Sequence, residues 1–92
     1  MIVSFADDAT ERLAHGSRVR QFAGIEAVAR RKRRQLQSAA NLNDLRVPPG
    51  NRLEARKGDR RGHDSVRIND QYRLCFRWTA AGAEDVEIVD YH

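Results

Sequence analysis

Residues 86–92 read VEIVDYH and set a carboxylate, a phenol and an imidazole side by side at Asp90, Tyr91 and His92. Upstream, the segment 52–73 holds seven basic residues against four acids, a net +3 that is most of the chain's formal charge of +4. Lys57, Arg60, Arg61, Arg67 and Arg73 are among those cations. Cations next to groups that give and take protons are the parts needed to cleave RNA through its own 2′-hydroxyl. One group removes the hydroxyl proton, another protonates the leaving 5′-oxygen, and the cations stabilise the extra phosphorane charge. Positioned proton transfer contributes about 100- to 10,000-fold, and each preorganised donor to developing charge about 100- to 1,000-fold. No metal is required. Asp-x-His also resembles a fragment of a metal site, but no second His or Cys cluster accompanies it, and no metal ligand is assigned. Each residue also has an ordinary structural use: sheet arginines discourage edge pairing, a tyrosine can bury its ring with a wet tip, and a terminal histidine can hang free. The combination, rather than any single member, points to chemistry.

These groups need a frame. Ile2 to Phe5 is a short β-prone run, and Asp7-Asp8 suits the N-terminus of a short helix ending near Gly16. Ser17 can cap a second helix whose apolar positions Val19, Phe22, Ile25, Ala29, Leu36 and Ala40 recur at helical spacing, with Asn41 as its stop. Within it lies RRKRR, residues 30–34. Five consecutive residues sweep more than a full helical turn, so Lys32 or Arg33 must lie against the apolar stripe. Residues 43–51, with Pro48, Pro49 and Gly50, read as a hinge loop between a helical half and a strand-rich half, the pattern of an α+β domain.

The second half reads as an antiparallel meander of RLEARK, DSVRI, YRLCFRW and VEIVDYH, with turns at Gly58-Asp59 to Gly62, at residues 69–71 and at residues 80–83. Alternation puts Tyr72, Leu74, Phe76 and Trp78 on one face and Arg73, Cys75 and Arg77 on the other. A three-residue loop of Asn69, Asp70 and Gln71 pairs Ile68 with Tyr72 and Val66 with Leu74, which lands Arg67 opposite Arg73. Like charges directly opposed are unfavourable, and an anion held between them would resolve the conflict.

Bulk properties agree with one small soluble domain spanning residues 1–92. Apolar residues are 40% and charged residues 33%, enough for one core beneath a heavily charged exterior. The 17 Lys+Arg against 13 Asp+Glu give the sign expected of a protein that meets phosphates or an acidic partner. The lone Cys75 excludes an intrachain disulfide framework and fits a reducing cytoplasm. No basic region followed by a long apolar run opens the sequence, and no stretch nears the ~18 apolar residues of a membrane span, so neither export nor anchoring is expected.

KGDR at residues 57–60, then SVRINDQYRLCFRW, then the closing VEIVDYH resemble the HigB branch of the RelE-like toxins. The motifs cover most of residues 53–92, while the N-terminal half matches in pattern only. The resemblance implies a RelE-like α+β domain with two N-terminal helices packed on a mainly antiparallel sheet whose other face binds RNA. It implies a ribosome-dependent endoribonuclease that cuts messenger RNA without metal or cofactor, and a HigA-type helix-turn-helix antitoxin through whose complex operator DNA is contacted. By match of position, Lys57 and Arg73 resemble the family's phosphate stabilisers, and Asp90, Tyr91 and His92 its catalytic cluster. Arg56, Arg60, Arg61, His63, Arg67 and Arg77 are the expected RNA contacts around them. His92 is the expected general acid, with Asp90 orienting its ring and Tyr91 addressing the phosphate.

The chain departs from that pattern in three places. Some relatives have a histidine where this chain has Glu54, and no role passes to Glu54. Many have an aromatic where Asp64 stands, with His63 as a substitute for stacking, and a leucine is common at the position of Arg56. Arg73 and Lys57 are expected on a polar surface where truncation leaves the fold intact. Two other readings stand beside the nuclease: a non-catalytic RNA- or ribosome-binding module, and a co-repressor whose task is to pair with the antitoxin.

Overall fold

The computed structural model describes residues 1–55 and 62–91. Helix α1, Asp8–Ala14, opens on Asp7, whose carboxylate accepts from the Thr10 amide at 3.1 Å, and closes just before Gly16, which takes a φ of 96°. Helix α2 spans Glu26–Ser38. The strands are β1 (Glu54–Ala55), β2 (Asp64–Arg67), β3 (Tyr72–Thr79) and β4 (Gly82–Asp90), joined as an antiparallel sheet in the order β1-β2-β3-β4. Helices against one face of an antiparallel sheet make the α+β architecture expected from the sequence. Residues 58–61 of the turn expected from Gly58-Asp59 to Gly62 lie outside the described residues, as do Arg56 and Lys57 at the end of RLEARK.

Three boundaries differ from the sequence reading. The second helix starts at Glu26 rather than after Ser17, because Gly24 takes a φ of 90° and ends the helical path. Arg20–Phe22 forms a single 3₁₀ turn ahead of it. Phe22 and Ile25 are buried all the same, so the apolar periodicity identified the core residues and misjudged the backbone between them. The helix ends at Ser38, and Asn41 instead caps a 3₁₀ turn, Leu42–Arg46, in a reciprocal arrangement in which Asp44 Oδ2 accepts from the Asn41 amide at 3.1 Å. The hinge loop therefore consists of two 3₁₀ turns, Leu42–Arg46 and Pro49–Asn51, that bury Leu45 and Asn51.

The run from Ile2 to Phe5 is not a full strand. It makes two parallel bridges to β4, Ile2 to Ala83 and Phe5 to Val86. Its backbone bonds, together with Thr10 Oγ1 accepting from the Ile88 amide at 3.0 Å, occupy the outer edge of β4. An edge that offered its amides to solvent would invite another chain, and here it is closed. Gly82 is required at this junction: its φ is 127°, and a Cβ would stand 2.2 Å from the Met1 carbonyl oxygen.

The core lies between the helices and the sheet. Leu13, Phe22, Ile25, Ala29, Leu36 and Leu45 meet Val66, Leu74, Phe76, Val86 and Ile88. A fully buried leucine such as Leu36 contributes about 1.5–3 kcal/mol. The basic run of α2 divides as the helical sweep requires. Arg31 and Arg34 face solvent, and Arg30 turns back to donate to the Leu13 and Ser17 carbonyls at 3.0 Å each. Lys32 is only 6% exposed and donates to Asn51 Oδ1 at 2.5 Å. Burial first, then the Arg31 and Arg67 charges, hold its ammonium below the usual lysine range.

Register fixes which side chains share a face. Val66 pairs with Leu74 and Arg67 with Arg73, as the three-residue loop requires, and Asn69 Oδ1 locks that loop by accepting from the Gln71 and Tyr72 amides at 2.8 and 2.7 Å. Between β3 and β4 the pairing slips: Arg77 faces Glu84, yet Cys75 faces Glu87. The extra residue of this bulge falls at β4, where Asp85 has a φ of 53°. It keeps both Ala83 and the later pair Val86 and Ile88 in the core.

Candidate active site

Across the sheet, on the face away from the helices, the sequence Glu54, Ser65, Cys75, Glu87 runs from strand to strand as one row of paired residues. The next row holds Arg67, Arg73 and Val89. Arg73 sits at the centre of what these rows build. Its Nε donates to Ser65 Oγ at 2.7 Å, and its Nη2 donates to the Ser65 carbonyl at 3.2 Å and to the Arg52 carbonyl. The Glu54 carboxylate stands 3.8 Å from the same Nη2, and the Tyr91 ring centre lies 5.6 Å from Cζ, within range of a cation–π contact. The two N–H groups of Nη1 are not among these donors, so the planar fork is fixed by protein on one side and retains hydrogen-bonding capacity on the other.

This arginine is 7% exposed, which corrects its expected place on an open polar surface. Ser65 and Cys75 beside it are fully buried. The face opposite the helices is therefore no open charged sheet; it has a closed interior around Arg73, with Tyr91, 40% exposed, at its rim. The left-handed backbone of Arg52, φ 45°, turns its carbonyl into that interior, and Asn51 just before it is tied to the Lys32 ammonium and to the Leu45 carbonyl.

The opposed arginines resolve without an anion. Arg67 turns to Asp70 in the hairpin loop, and Arg73 turns inward to Ser65 and Arg52. The conflict seen in sequence is removed by side-chain direction.

Asp90 and Tyr91 take opposite phases at the end of β4. Asp90 pairs with Tyr72, which puts it in phase with the helix-side residues Leu74 and Ile88, whereas Tyr91 comes to Arg73 on the other side. Asp90 Oδ2 accepts from Gln71 Nε2 at 3.0 Å, and the Tyr91 amide donates to the Gln71 carbonyl at 2.7 Å. The end of β4 is thus held at both faces by one residue of the loop before β3. Among the described residues, Asp90 and Tyr91 are on opposite phases of the strand and share Gln71 as a partner.

The remaining expected contacts are dispersed. Arg77 pairs with Glu84 at 2.5 Å further along the sheet. His63 is half-buried with Nδ1 out of solvent and unbonded, and Asp64, next to it, has its carboxyl held above the usual range by burial, against the opposing charges of His63 and Arg46. Lys57, Arg56, Arg60, Arg61 and His92 lie outside the described residues. Among the described residues no group of three His, Cys, Asp or Glu side chains could hold a metal ion, and no helix is long and apolar enough to cross a membrane.

Ser65, which positions the Arg73 fork, was not singled out by the sequence, and Glu54, to which no role was assigned there, supplies a carboxylate beside it. The pairing of Glu54 with Ser65 is the signal that places both there.

Comparison with known proteins agrees with this architecture. Over residues 3–92 the chain matches the family model described as RelE-like toxin of type II toxin-antitoxin system HigB. It is 42% identical over 74 residues to Toxin HigB-1 of Vibrio cholerae serotype O1, covering 80% of this chain and 70% of that protein. An uncharacterized protein of Haemophilus influenzae is 39% identical over 51 residues, 55% of this chain and 50% of its own length. With a buried arginine fork, an aromatic at its rim and a match over nearly the whole sequence, the chain belongs to the HigB-like, RelE-like toxins of type II toxin-antitoxin systems.

Proposed function

We propose that the chain is a ribosome-dependent endoribonuclease that cuts messenger RNA in the cytoplasm and is neutralised by a HigA-type helix-turn-helix antitoxin, operator DNA being contacted only through that complex. The observation that carries this reading is the approach of Tyr91 to the buried, preoriented guanidinium of Arg73. An arginine whose direction is set by three protein bonds reorganises little when charge develops on a phosphate, and that is the condition under which a fixed cation accelerates phosphoryl chemistry. Tyr91 addresses the same phosphate through its phenol. Lys57 is assigned as the second cation and His92 as the acid that protonates the departing 5′-oxygen. Asp90 acts through Gln71 by fixing the strand end that carries Tyr91. Arg56, Arg60, Arg61, His63, Arg67 and Arg77 are assigned to the flanking RNA. The reaction needs no cofactor: O2′ bonds to phosphorus, the P–O5′ bond breaks, and one proton leaves O2′ while another reaches O5′.

Ribosome dependence follows from the size of the site. Two rows of a four-stranded sheet offer little surface to orient a flexible strand, so substrate geometry must come from elsewhere. Purified protein incubated with one messenger, free or on translating ribosomes, tests the reading. Efficient cutting only on the ribosome, leaving a 2′,3′-cyclic phosphate and a 5′-hydroxyl, is the expected result. Equal cutting of free messenger would overturn the ribosome requirement, and binding without new ends would make the chain a non-catalytic ribosome-binding module.

A further inference from the structure

We propose that Lys32 is a positioning residue for the active site: acting through Asn51, it holds Arg52 in the left-handed conformation whose carbonyl directs Arg73. The inference rests on the nuclease reading above for its effect on cutting, while the placement of Arg73 is measured separately. Lys32 is the buried member of the RRKRR run, and the proposed chemistry makes no use of its charge. It lies on α2, on the helix side of the sheet, whereas Arg73 serves the opposite face. Among the described residues no carboxylate forms an ion pair with it. Burying an ammonium without a counter-charge is costly, and the bond to Asn51 is what that arrangement secures.

The link across the core is short. The Lys32 ammonium donates to Asn51 Oδ1 at 2.5 Å, and Asn51 Nδ2 donates to the Leu45 carbonyl at 3.1 Å, so the buried amide is clasped at both of its polar atoms. Asn51 closes the 3₁₀ turn Pro49–Asn51, and Arg52 follows it with a φ of 45° and a ψ of 58°. That conformation sets a Cβ against the following carbonyl, and arginine has no short polar side chain to compensate. Such a backbone persists only where its surroundings fix it. The Arg52 side chain is exposed and adds no core packing; its amide donates to the Pro49 carbonyl at 3.1 Å, inside the turn that the clasp anchors. Its carbonyl accepts from Arg73 Nη2. When the clasp opens, Arg52 relaxes toward ordinary backbone, its carbonyl leaves Nη2, and of the three bonds that direct the guanidinium only the two to Ser65 remain.

The test compares the full chain in four forms: parent, Lys32→Met, Lys32→Met with Arg52→Gly, and Arg52→Val. Two quantities are measured on each, solvent exchange of the Arg73 Nε–H by nitrogen-15 NMR and single-turnover cutting of messenger on programmed ribosomes. Lys32→Met should speed the exchange at least about tenfold and lower the saturating rate of cutting roughly 10- to 100-fold, with the half-saturating ribosome concentration moving less than about threefold. Glycine takes the left-handed conformation without a Cβ clash, so Arg52→Gly should return both quantities most of the way to the parent although the lysine is gone. Valine disfavours that conformation strongly, so Arg52→Val should reproduce the loss with the clasp intact and no core atom removed. A lysine needed only for stability would give neither the rescue nor the mimic. Parental exchange in Lys32→Met, or a loss that Arg52→Gly does not recover, would overturn the assignment. Should Lys32→Met not fold, Lys32→Gln, whose donor falls one atom short, takes its place under the same criteria. A parent that does not cut would overturn the nuclease reading, and the exchange of the Arg73 Nε–H would still decide the role of Lys32.

Discussion

Arg67 and Arg73 stand directly opposite each other on neighbouring strands, and their guanidinium groups point apart. One reaches out to Asp70, 99% exposed in the hairpin loop, and the other reaches in to Ser65 and the Arg52 carbonyl. The outward pair is screened and contributes little, whereas the inward bonds are buried, where a lost partner leaves a carbonyl without compensation. The two arginines that look equivalent in sequence are therefore unequal in structure.

Arg73→Ala should accordingly do more than disable cutting. It removes a donor from the buried Ser65 carbonyl and from the part-buried Arg52 carbonyl and is expected to destabilise the fold by about 2 kcal/mol, a fall of roughly 10 °C in melting temperature. Arg67→Ala should shift stability by less than about 0.5 kcal/mol. Paired thermal melts check both, and an unchanged Arg73→Ala curve would return that residue to the surface.

Tyr91→Phe keeps the ring over the guanidinium and removes only the phenol. Its melting temperature should match the parent within about 2 °C, with turnover reduced by at least about tenfold. Tyr91→Ala should lose both the contact, about 0.5–1 kcal/mol at a part-exposed site, and the activity. Equal turnover by Tyr91→Phe would confine this residue to stacking.

Asn51, fully buried, accepts from the Lys32 ammonium and donates to the Leu45 carbonyl. Asn51→Ala leaves a buried charge and a buried carbonyl unpaired and is expected to cost about 3 kcal/mol. Arg52 follows directly, so the Arg73 fork should loosen as well. Urea unfolding measures the first effect, and faster amide exchange in β2 the second.

Asp64 gives the pH dependence its sign. Its carboxyl is raised above its ordinary value, so the folded chain holds that proton more tightly than the unfolded chain. The associated stability is complete below the unfolded value of about 3.9 and is lost as pH rises through the raised one. Asp64→Asn mimics the protonated form and should stabilise the protein at pH 7 by roughly 0.5 kcal/mol, with the gain shrinking toward pH 4. Denaturant melts of both proteins at the two pH values check this, and a gain that grows on acidification would contradict it.

The sheet was largely legible in the sequence because two constraints met at one loop. Alternation in YRLCFRW and a three-residue connection allow a single register, and Val66 against Leu74 with Arg67 against Arg73 is that register. The start of α2 was hidden by Gly24, whose positive φ interrupts a pattern of apolar spacing that continues on either side. Glu54 received no role because relatives with a histidine at its position offered no equivalent chemistry, and its place beside Arg73 shows only in the pairing of β1 with β2. Burial of Arg73 is likewise a property of what folds over a strand rather than of its own alternation.

The bulge at Asp85 gives β4 two reading phases. Residues before it count off faces one way and residues after it the other, so which side Tyr91 occupies is settled five or six positions upstream, by a backbone irregularity that touches neither Tyr91 nor Arg73. Alignment by alternation from the hairpin would assign the wrong partner to the guanidinium, Asp90 in place of Tyr91. A single-residue insertion between Val86 and Asp90 would make that exchange real, setting a carboxylate where an aromatic ring now stands and converting a rim contact into an ion pair that neutralises the cation.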